Sequence, residues 1–168
     1  MEHPGFEEFY EAEHARLVTS LLLATGNADW ARDATDEAFT RALTSWPRVQ
    51  AMASPAGWTY RVAINVVRRR QRRRSIEQRL LSHRSPPVDV PAPAGEAWLL
   101  VAALPERQRL AVVLRFVADL TEAQIATVMG ISRSTVSSTL IDARRSLGLA
   151  LADDPERIDE TPTGGRHG

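Results

Sequence analysis

The stretch "LTEAQIATVMGISRSTVSSTLIDARRSLG", residues 120–148, predicts two short helices joined by a tight turn. Thr121 and Gln124 have the spacing of a capping box, in which each side chain satisfies a backbone N–H at the helix start. Gly130 suits the left-handed conformation that ends many helices, and Ser132 can cap the helix that follows. The stretch therefore has the local signals of two helices with a defined turn between them.

The second helix of this pair has apolar residues three and four positions apart and is expected to close at Gly148. The buried stripe contains Val136, Leu140, Ala143 and Leu147. Such a pair is typical of a helix-turn-helix, whose second helix enters the major groove of DNA by its N-terminal end. An ordinary helical hairpin is the alternative, but the two caps and the glycine favour DNA binding. The residues that can bond phosphates or base edges there are Arg133, Ser134, Ser137 and Ser138.

Outward from this motif, the chain divides into two helical parts. A further helix with proline at its first position is predicted from Pro105. Residues 82–96 hold four prolines and no helical period, as in a linker. The expected fold class is all-α: two small helical domains joined by a Pro-rich linker, the second containing the helix-turn-helix. The expected boundaries are a domain at 1–81, the linker at 82–96, a domain at 97–150 and a disordered acidic tail at 151–168.

The first domain has three predicted helices. One begins near Phe6, a second runs from Ala28 to Trp46, and residues 47–57 form a loop with two prolines and a glycine. A third helix starts near Trp58 and continues into an arginine run. The inward side chains predicted for the second helix are Trp30, Ala34, Ala38, Leu43 and Trp46, and Ile76, Leu80 and Leu81 are a possible extension of the core.

The charge of the chain is strongly polarised although its formal net charge is zero. Residues 68–74 contain six arginines, and residues 61–84 carry nine arginines and one glutamate, a net charge of +8. Residues 1–60 carry nine acids and four arginines, a net charge of −5. This asymmetry indicates nucleic acid or another polyanion as a partner, although a solvated helix end is the alternative.

The remaining composition excludes several classes of protein. The 168 residues include no cysteine, so disulfides, thiolate metal sites and a thiol nucleophile are absent. No apolar run has the length of a membrane span, and the acidic start is unlike a secretory signal, so we expect a cytoplasmic protein without membrane insertion. The four histidines lack metal-ligand spacing, and there is no glycine loop or nucleophile motif. We expect no enzymatic activity, no catalytic residue, no metal and no cofactor.

Three segments, in order, resemble the bacterial RNA polymerase sigma factors of the small extracytoplasmic-function class, group 4. "DATDEAFTRALTSW", residues 33–46, resembles the region 2 helix, and "GWTYRVAINVVRRRQRRR", residues 57–74, resembles the helix after it. Residues 104–140 resemble region 4. The positions that match the two region 2 patterns are Asp33, Glu37, Phe39, Ala42, Trp46, Trp58, Tyr60, Arg61, Ala63 and Asn65. In relatives, cations often stand where this chain has Ser137 and Thr139.

The resemblance implies a role for each charged surface. In the family, the acidic-faced helix docks on the clamp helices of the largest polymerase subunit, which implies core binding by Asp33, Asp36, Glu37 and Arg41. The next helix and the loop before it recognise the −10 promoter element in the family. The resemblance therefore implies that Trp58, Arg61 and Asn65 contact the opened bases. It also implies that flanking phosphates are bound by Arg68, Arg69, Arg72 and Arg73. For the second helix of the helix-turn-helix, the resemblance implies binding to the −35 element by Arg133, Ser134, Ser137 and Ser138.

The resemblance implies core RNA polymerase and promoter DNA as partners, and an anti-sigma protein is a further candidate because such proteins often hold family members inactive. The alternative function is a free-standing helix-turn-helix transcriptional regulator. That alternative explains residues 105–150 equally well, but it does not account for an acidic helix and an arginine-tipped helix in succession. Tight binding to core polymerase without DNA distinguishes the two.

Overall fold

The computed structural model describes residues 5–81 and 95–152. Within these ranges the chain forms eight helices and no strand. The helices are α1 Phe6–Thr25, α2 Ala28–Thr44, α3 Trp46–Val49, α4 Pro55–Leu81, α5 Gly95–Ala103, α6 Glu106–Phe116, α7 Glu122–Met129 and α8 Arg133–Ala152. The all-α fold class is thereby confirmed. Most of the expected linker, residues 82–94, and the tail from 153 onward lie outside the described residues.

The first bundle is formed by α1, α2 and α4, with the single turn α3 at one end. Gly26 adopts the left-handed conformation that ends α1, and the Asn27 side chain accepts a hydrogen bond from the Trp30 backbone N–H to start α2. Leu17 of α1 and Tyr60 of α4 are fully buried between the helices. The paired caps make the sharp reversal between α1 and α2 and so bring the acidic helix beside α4.

Aromatic rings fill the end of this bundle where α1, α2 and α3 meet. Trp46 lies 5.3 Å from the ring of Phe6 and 5.1 Å from that of Phe9, measured between ring centroids, and Phe39 contacts both phenylalanines. Aromatic pairs at these separations stabilise a core beyond the area that they bury. Trp46 begins α3, so part of the predicted loop at 47–57 is helical.

Several side-chain and boundary predictions in the first domain are wrong. Helix α2 ends at Thr44 and not at Trp46. Helix α4 begins at Pro55, not Trp58, because the Ser54 hydroxyl accepts a hydrogen bond from the backbone N–H of Gly57. Leu43 is 37% exposed, whereas its neighbour Ala42 is buried. Ile76 is 58% exposed, because a 27-residue helix of about 40 Å extends past its shorter neighbours. Leu80 and Leu81 have no described side chain.

The second bundle contains the predicted helix-turn-helix in α7 and α8. The capping box of Thr121 and Gln124 is complete, Gly130 is left-handed with φ 69°, and Ser132 accepts a hydrogen bond from the Thr135 N–H. Val136, Leu140 and Ala143 are buried and Leu147 is partly buried, as predicted.

Three boundary predictions in the second domain are wrong. Helix α8 continues through Gly148 to Ala152, because a glycine inside a helix costs only about 1 kcal/mol relative to alanine. Pro105 is the N-cap of α6 and not its first residue. Gly95 and Glu96, placed in the linker by the sequence, begin α5.

The two bundles pack against each other and share one continuous apolar core. Helix α1 packs on α6, and α4 packs on α7. The core contains Leu21 and Val67 on one side of this boundary and Leu110 and Ile125 on the other. The two domains are therefore in contact, an arrangement that we call closed. The sequence predicted two domains divided at the proline-rich segment, but it did not predict the contacts between them.

Candidate nucleic-acid interface

The N-terminal end of α8 presents most of its predicted DNA-binding side chains to solvent. The side chain of Arg133 is 75% exposed, and Ser134 and Ser138 are also exposed. The Ser132 hydroxyl that caps the helix lies 2.9 Å from Ser134 Oγ. The structure thus brings the predicted group together at one helix end.

Glu122, in the first turn of α7, contacts two members of that group and was not predicted from the sequence. Ser137 donates its hydroxyl hydrogen to the Glu122 carboxylate, and Arg133 Nε lies 3.9 Å from the same oxygen. An acid in a first helical turn suits the helix dipole, which gives it an ordinary explanation. No signal in the sequence links residue 122 to the recognition helix, because the contact depends on how α7 and α8 cross.

A line of polar side chains runs along one face of α4. Trp58, Arg61, Asn65 and Arg72, which we call the open sector, are spaced three, four and seven residues apart, so a helix that turns about 100° per residue places them together. Arg61, Asn65 and Arg72 are exposed and Trp58 is partly buried. The open sector thus combines an aromatic surface with cations and an amide, as binding to unstacked bases and phosphates requires.

The arginine run is divided between α2 and solvent. Arg69 donates to Glu37 over 3.1 Å, and Arg70 donates to Asp33 over 2.7 Å. The guanidinium of Arg74 lies over the Trp30 ring, 5.6 Å from its centroid. Arg72 and Arg73 are both exposed. The acidic helix α2 therefore lies opposite part of the arginine run. Its carboxylates offset some of the positive charge that is concentrated there.

The acidic face of α2 is partly occupied by these pairs. Glu37 also accepts a hydrogen bond from Arg41, four residues later on the same helix. Asp36 is 73% exposed, and its only close basic side chain within the described residues is His14, whose Nε2 lies 3.9 Å from Asp36 Oδ1. Exposed ion pairs typically contribute no more than about 1 kcal/mol each, so a partner can displace them. Of the four predicted core-binding residues, Asp36 is the one most accessible to another protein.

Arg68 has a different environment from the other predicted phosphate ligands. Its guanidinium donates to the carbonyl oxygen of Met129 over 3.2 Å, at the C-terminal end of α7. Cations at such an end are favoured by the helix dipole. The structure therefore directs Arg68 toward the second domain and not toward solvent.

Within the described residues, three more hydrogen bonds join the two domains. Gln124 donates to Ser54 Oγ over 2.8 Å, so the start of α7 meets the start of α4. A side chain at Gly57 would bring a Cβ within 2.8 Å of that hydroxyl oxygen. The others are Arg109 Nε to the Ala24 carbonyl oxygen, 3.1 Å, and Gln71 Nε2 to Glu106 Oε1, 3.4 Å.

Two shifted ionisable groups lie in the first domain and away from these surfaces. Burial raises the pKa of Tyr60 to about 12, and its phenol oxygen lies 3.4 Å from Ser20 Oγ. Burial also raises the pKa of Glu13, against the opposing effect of Arg16. Tyr60 thus remains a neutral core residue at neutral pH.

Comparison with known families accounts for both domains. Residues 9–76 match Sigma-70 region 2, and residues 95–147 match Sigma-70, region 4. The chain belongs to the sigma-70 family. Regions 2 and 4 bind core RNA polymerase and promoter DNA, and their combination is typical of extracytoplasmic-function sigma factors. The predicted function in promoter recognition and transcription initiation is confirmed by these matches.

The family also confirms the prediction of a non-enzymatic protein, because sigma factors direct the polymerase and catalyse no reaction themselves. Among the described residues of this sigma factor, no cluster of three or more potential metal ligands occurs. In the same part of the chain, no helix has both the length and the apolar character of a membrane span.

Two solved structures are similar to this sigma factor. The sigma factor RpoE from Bartonella quintana, crystallised with the anti-sigma factor NepR, aligns with a TM-score of 0.76 over 89% of this chain and 98% of its own, at 18% identity. This likeness shows a shared fold. A chain of the RsbN–BldN complex aligns at 21% identity over 89% of this chain and 93% of its own, with a TM-score of 0.36, too low to support an argument.

Proposed function

We propose that this sigma factor binds the −10 element through the open sector of α4. The observation that carries the proposal is the alignment of Trp58, Arg61, Asn65 and Arg72 along one accessible face. Trp58 and Asn65 offer a stacking surface and an amide to separated bases, and the arginines offer cations to the strands. Arg73 adds a second exposed cation beside Arg72, whereas Arg68 and Arg69 first have to leave their internal partners.

The arginine run gives a test with an internal control. Replacing Arg72 and Arg73 with glutamine keeps good helix formers and removes two exposed charges. Each lost phosphate contact reduces the slope of log affinity against log salt by about 0.9 on duplex DNA. We expect the slope for promoter binding by holoenzyme to become shallower by about two units, with the ranking of promoters unchanged.

The matched control replaces Arg70 and Arg74 with glutamine. This substitution removes the same charge from the same helix, but the native side chains face Asp33 and Trp30. That variant is expected to keep the wild-type slope. Equal slopes for the two double variants would contradict the assignment of the exposed pair, and a changed promoter ranking would show that these arginines read bases.

For core polymerase, we propose docking on α2, with Asp36 at the centre and Asp33, Glu37 and Arg41 beside it. Reversing the exposed charge, Asp36→Arg, should weaken binding of core enzyme about tenfold, since a like charge would replace an attractive one in a desolvated contact. The measurement is titration of labelled sigma factor with core enzyme in the absence of DNA.

Asp29→Arg is the control for that titration, because it reverses an exposed charge in the first turn of the same helix. Circular dichroism establishes that both variants remain folded. If the two variants lose affinity equally, or neither loses it, Asp36 is not a specific contact.

We propose that α8 binds the −35 element through Arg133, Ser134, Ser137 and Ser138, and that the closed arrangement is a resting form. The two elements are centred about 25 base pairs apart, which is about 85 Å of straight duplex. A compact chain of this length is only about 40 Å across. The domains cannot reach both elements while α7 lies on α4, so they must separate.

The chain between the domains has sufficient reach for that separation. The residues from Leu81 to Gly95 can span at most about 50 Å. We propose residues 1–81 and 95–152 as the units that move, with 82–94 as the linker between them and 153–168 as a tail. We place the protein in the cytoplasm, where its polymerase works. We propose that an anti-sigma protein would inhibit this chain by stabilising the closed form; the similar sigma factor RpoE was crystallised in complex with the anti-sigma factor NepR.

A further inference from the structure

We infer that Glu122 is a positioning residue for −35 recognition, which restricts Arg133 to base contact and limits its contact with phosphates. This inference rests on the proposed −35 role of Arg133. It begins from an anomaly: a carboxylate lies at the DNA-facing end of α8, within a surface that otherwise offers a cation and hydroxyl groups.

Glu122 is held in place by its own domain. It lies in the first turn of α7, where the helix dipole favours an acid. Its side chain is 34% exposed and accepts the hydroxyl hydrogen of Ser137. Ser137 and Arg133 are four residues apart, and so lie on the same face of α8. The carboxylate of Glu122 in α7 therefore contacts residues at both ends of the first turn of α8.

The carboxylate faces one edge of the Arg133 guanidinium. The closest nitrogen is Nε, 3.9 Å from Glu122 Oε2. Arginine carries five N–H donors, and the two terminal nitrogens that match guanine O6 and N7 are distinct from Nε. Glu122 can thus attract the inner edge while the outer edge remains available for a base. The high exposure of Arg133 leaves that outer edge accessible.

The same charge has a cost for general DNA affinity. Duplex DNA carries a negative charge for about every 1.7 Å of its axis, so a carboxylate at the interface repels it. It also competes with phosphates for Arg133. Both effects weaken binding to every sequence, whereas the restriction of Arg133 favours only the sequence that offers it a base partner. Glu122 therefore increases discrimination at the expense of affinity.

The test compares Glu122→Gln, Arg133→Ala and the double variant in holoenzyme bound to a library of −35 sequences. Glutamine keeps the shape of residue 122 and can still accept from Ser137, but it has no charge. Arg133→Ala is expected to remove about five- to 150-fold of discrimination at one base pair. Glu122→Gln is expected to reduce that same preference several-fold, while affinity for all sequences rises and the salt slope steepens by up to about one unit. In the double variant, Glu122→Gln should cause no further loss of preference.

Asp119→Asn is the control, because it removes an acid of the same domain that lies beside a different arginine, Arg115, at 3.9 Å. Asparagine also tolerates the positive φ of that position. If Arg133→Ala changes the profile and Glu122→Gln leaves the preference intact, the positioning role is wrong and the base-reading role stands. If Arg133→Ala itself leaves every preference intact, the proposed role of Arg133 is wrong, and the role of Glu122 with it.

Discussion

A covalent link between the two domains is expected to reduce promoter-dependent transcription to background. The chain has no cysteine, so two introduced cysteines are the only thiols for a short, reducible cross-linker. Gln71→Cys and Glu106→Cys are suitable sites, because their native side chains meet across the boundary and belong to none of the proposed binding surfaces. The linked domains cannot separate to reach promoter elements about 85 Å apart. Reduction of the link should restore transcription.

The control pair is Asp142→Cys and Arg145→Cys, whose native side chains form an ion pair within α8. The same reagent there joins two positions of one domain and is expected to leave transcription near the wild-type level. Core binding, measured separately, should persist in the linked chain because the exposed face of α2 is not covered by the link. Initiation at the wild-type rate by fully cross-linked Gln71–Glu106 protein would show that the closed form is active and would remove the proposal of a resting state.

The helices and their caps could be predicted from the sequence because their signals are local. The capping box at Thr121 and Gln124, the left-handed Gly130 and the Ser132 cap are all as expected. Each depends on residues within one turn of each other, whose chemistry the sequence states directly. Gly148 was misjudged for the same reason, since a glycine permits a helix to end without requiring it.

The charged site could be predicted only in part. The exposed face with Arg61 and Asn65 follows from helical spacing alone. The division of the arginine run does not, because Arg69 and Arg70 take their partners from α2, more than thirty residues away in sequence. Adjacent arginines point about 100° apart, so a small rotation of α4 decides which of them meet the acids.

The closed arrangement was not predicted because its contacts come from residues with an evident local role. Gln124 was assigned to the capping box through its side-chain oxygen, which accepts from the Thr121 N–H. Its side-chain nitrogen remains available and donates to Ser54 of the other domain. A polar side chain with two functional ends can satisfy a local motif and a distant contact together, and only the local one is visible in the sequence.

Arg109→Ala is expected to act in the opposite direction to the cross-link. Arg109 donates from Nε to the Ala24 carbonyl oxygen across the boundary, and it belongs to none of the proposed DNA or polymerase contacts. A hydrogen bond to a charged group contributes about 1.5–3 kcal/mol, so its loss shifts a closed–open equilibrium about ten- to 150-fold toward the open form. If the open fraction of the free chain is small, its affinity for promoter DNA should rise by a similar factor.

The measurements are promoter binding by the free chain and the distance between fluorophores placed at Arg16 and Arg145, one on each domain. Arg107→Ala is the matched control, because it removes the same charge from the exposed side of α6. Arg109 also donates to Ala102 within its own domain, so its loss has a local cost in stability. Local damage alone would lower the affinity for DNA. Separation of the two domains would raise that affinity and lengthen the distance between the fluorophores. A gain in affinity together with a longer distance therefore requires that the contact between the domains opposes DNA binding.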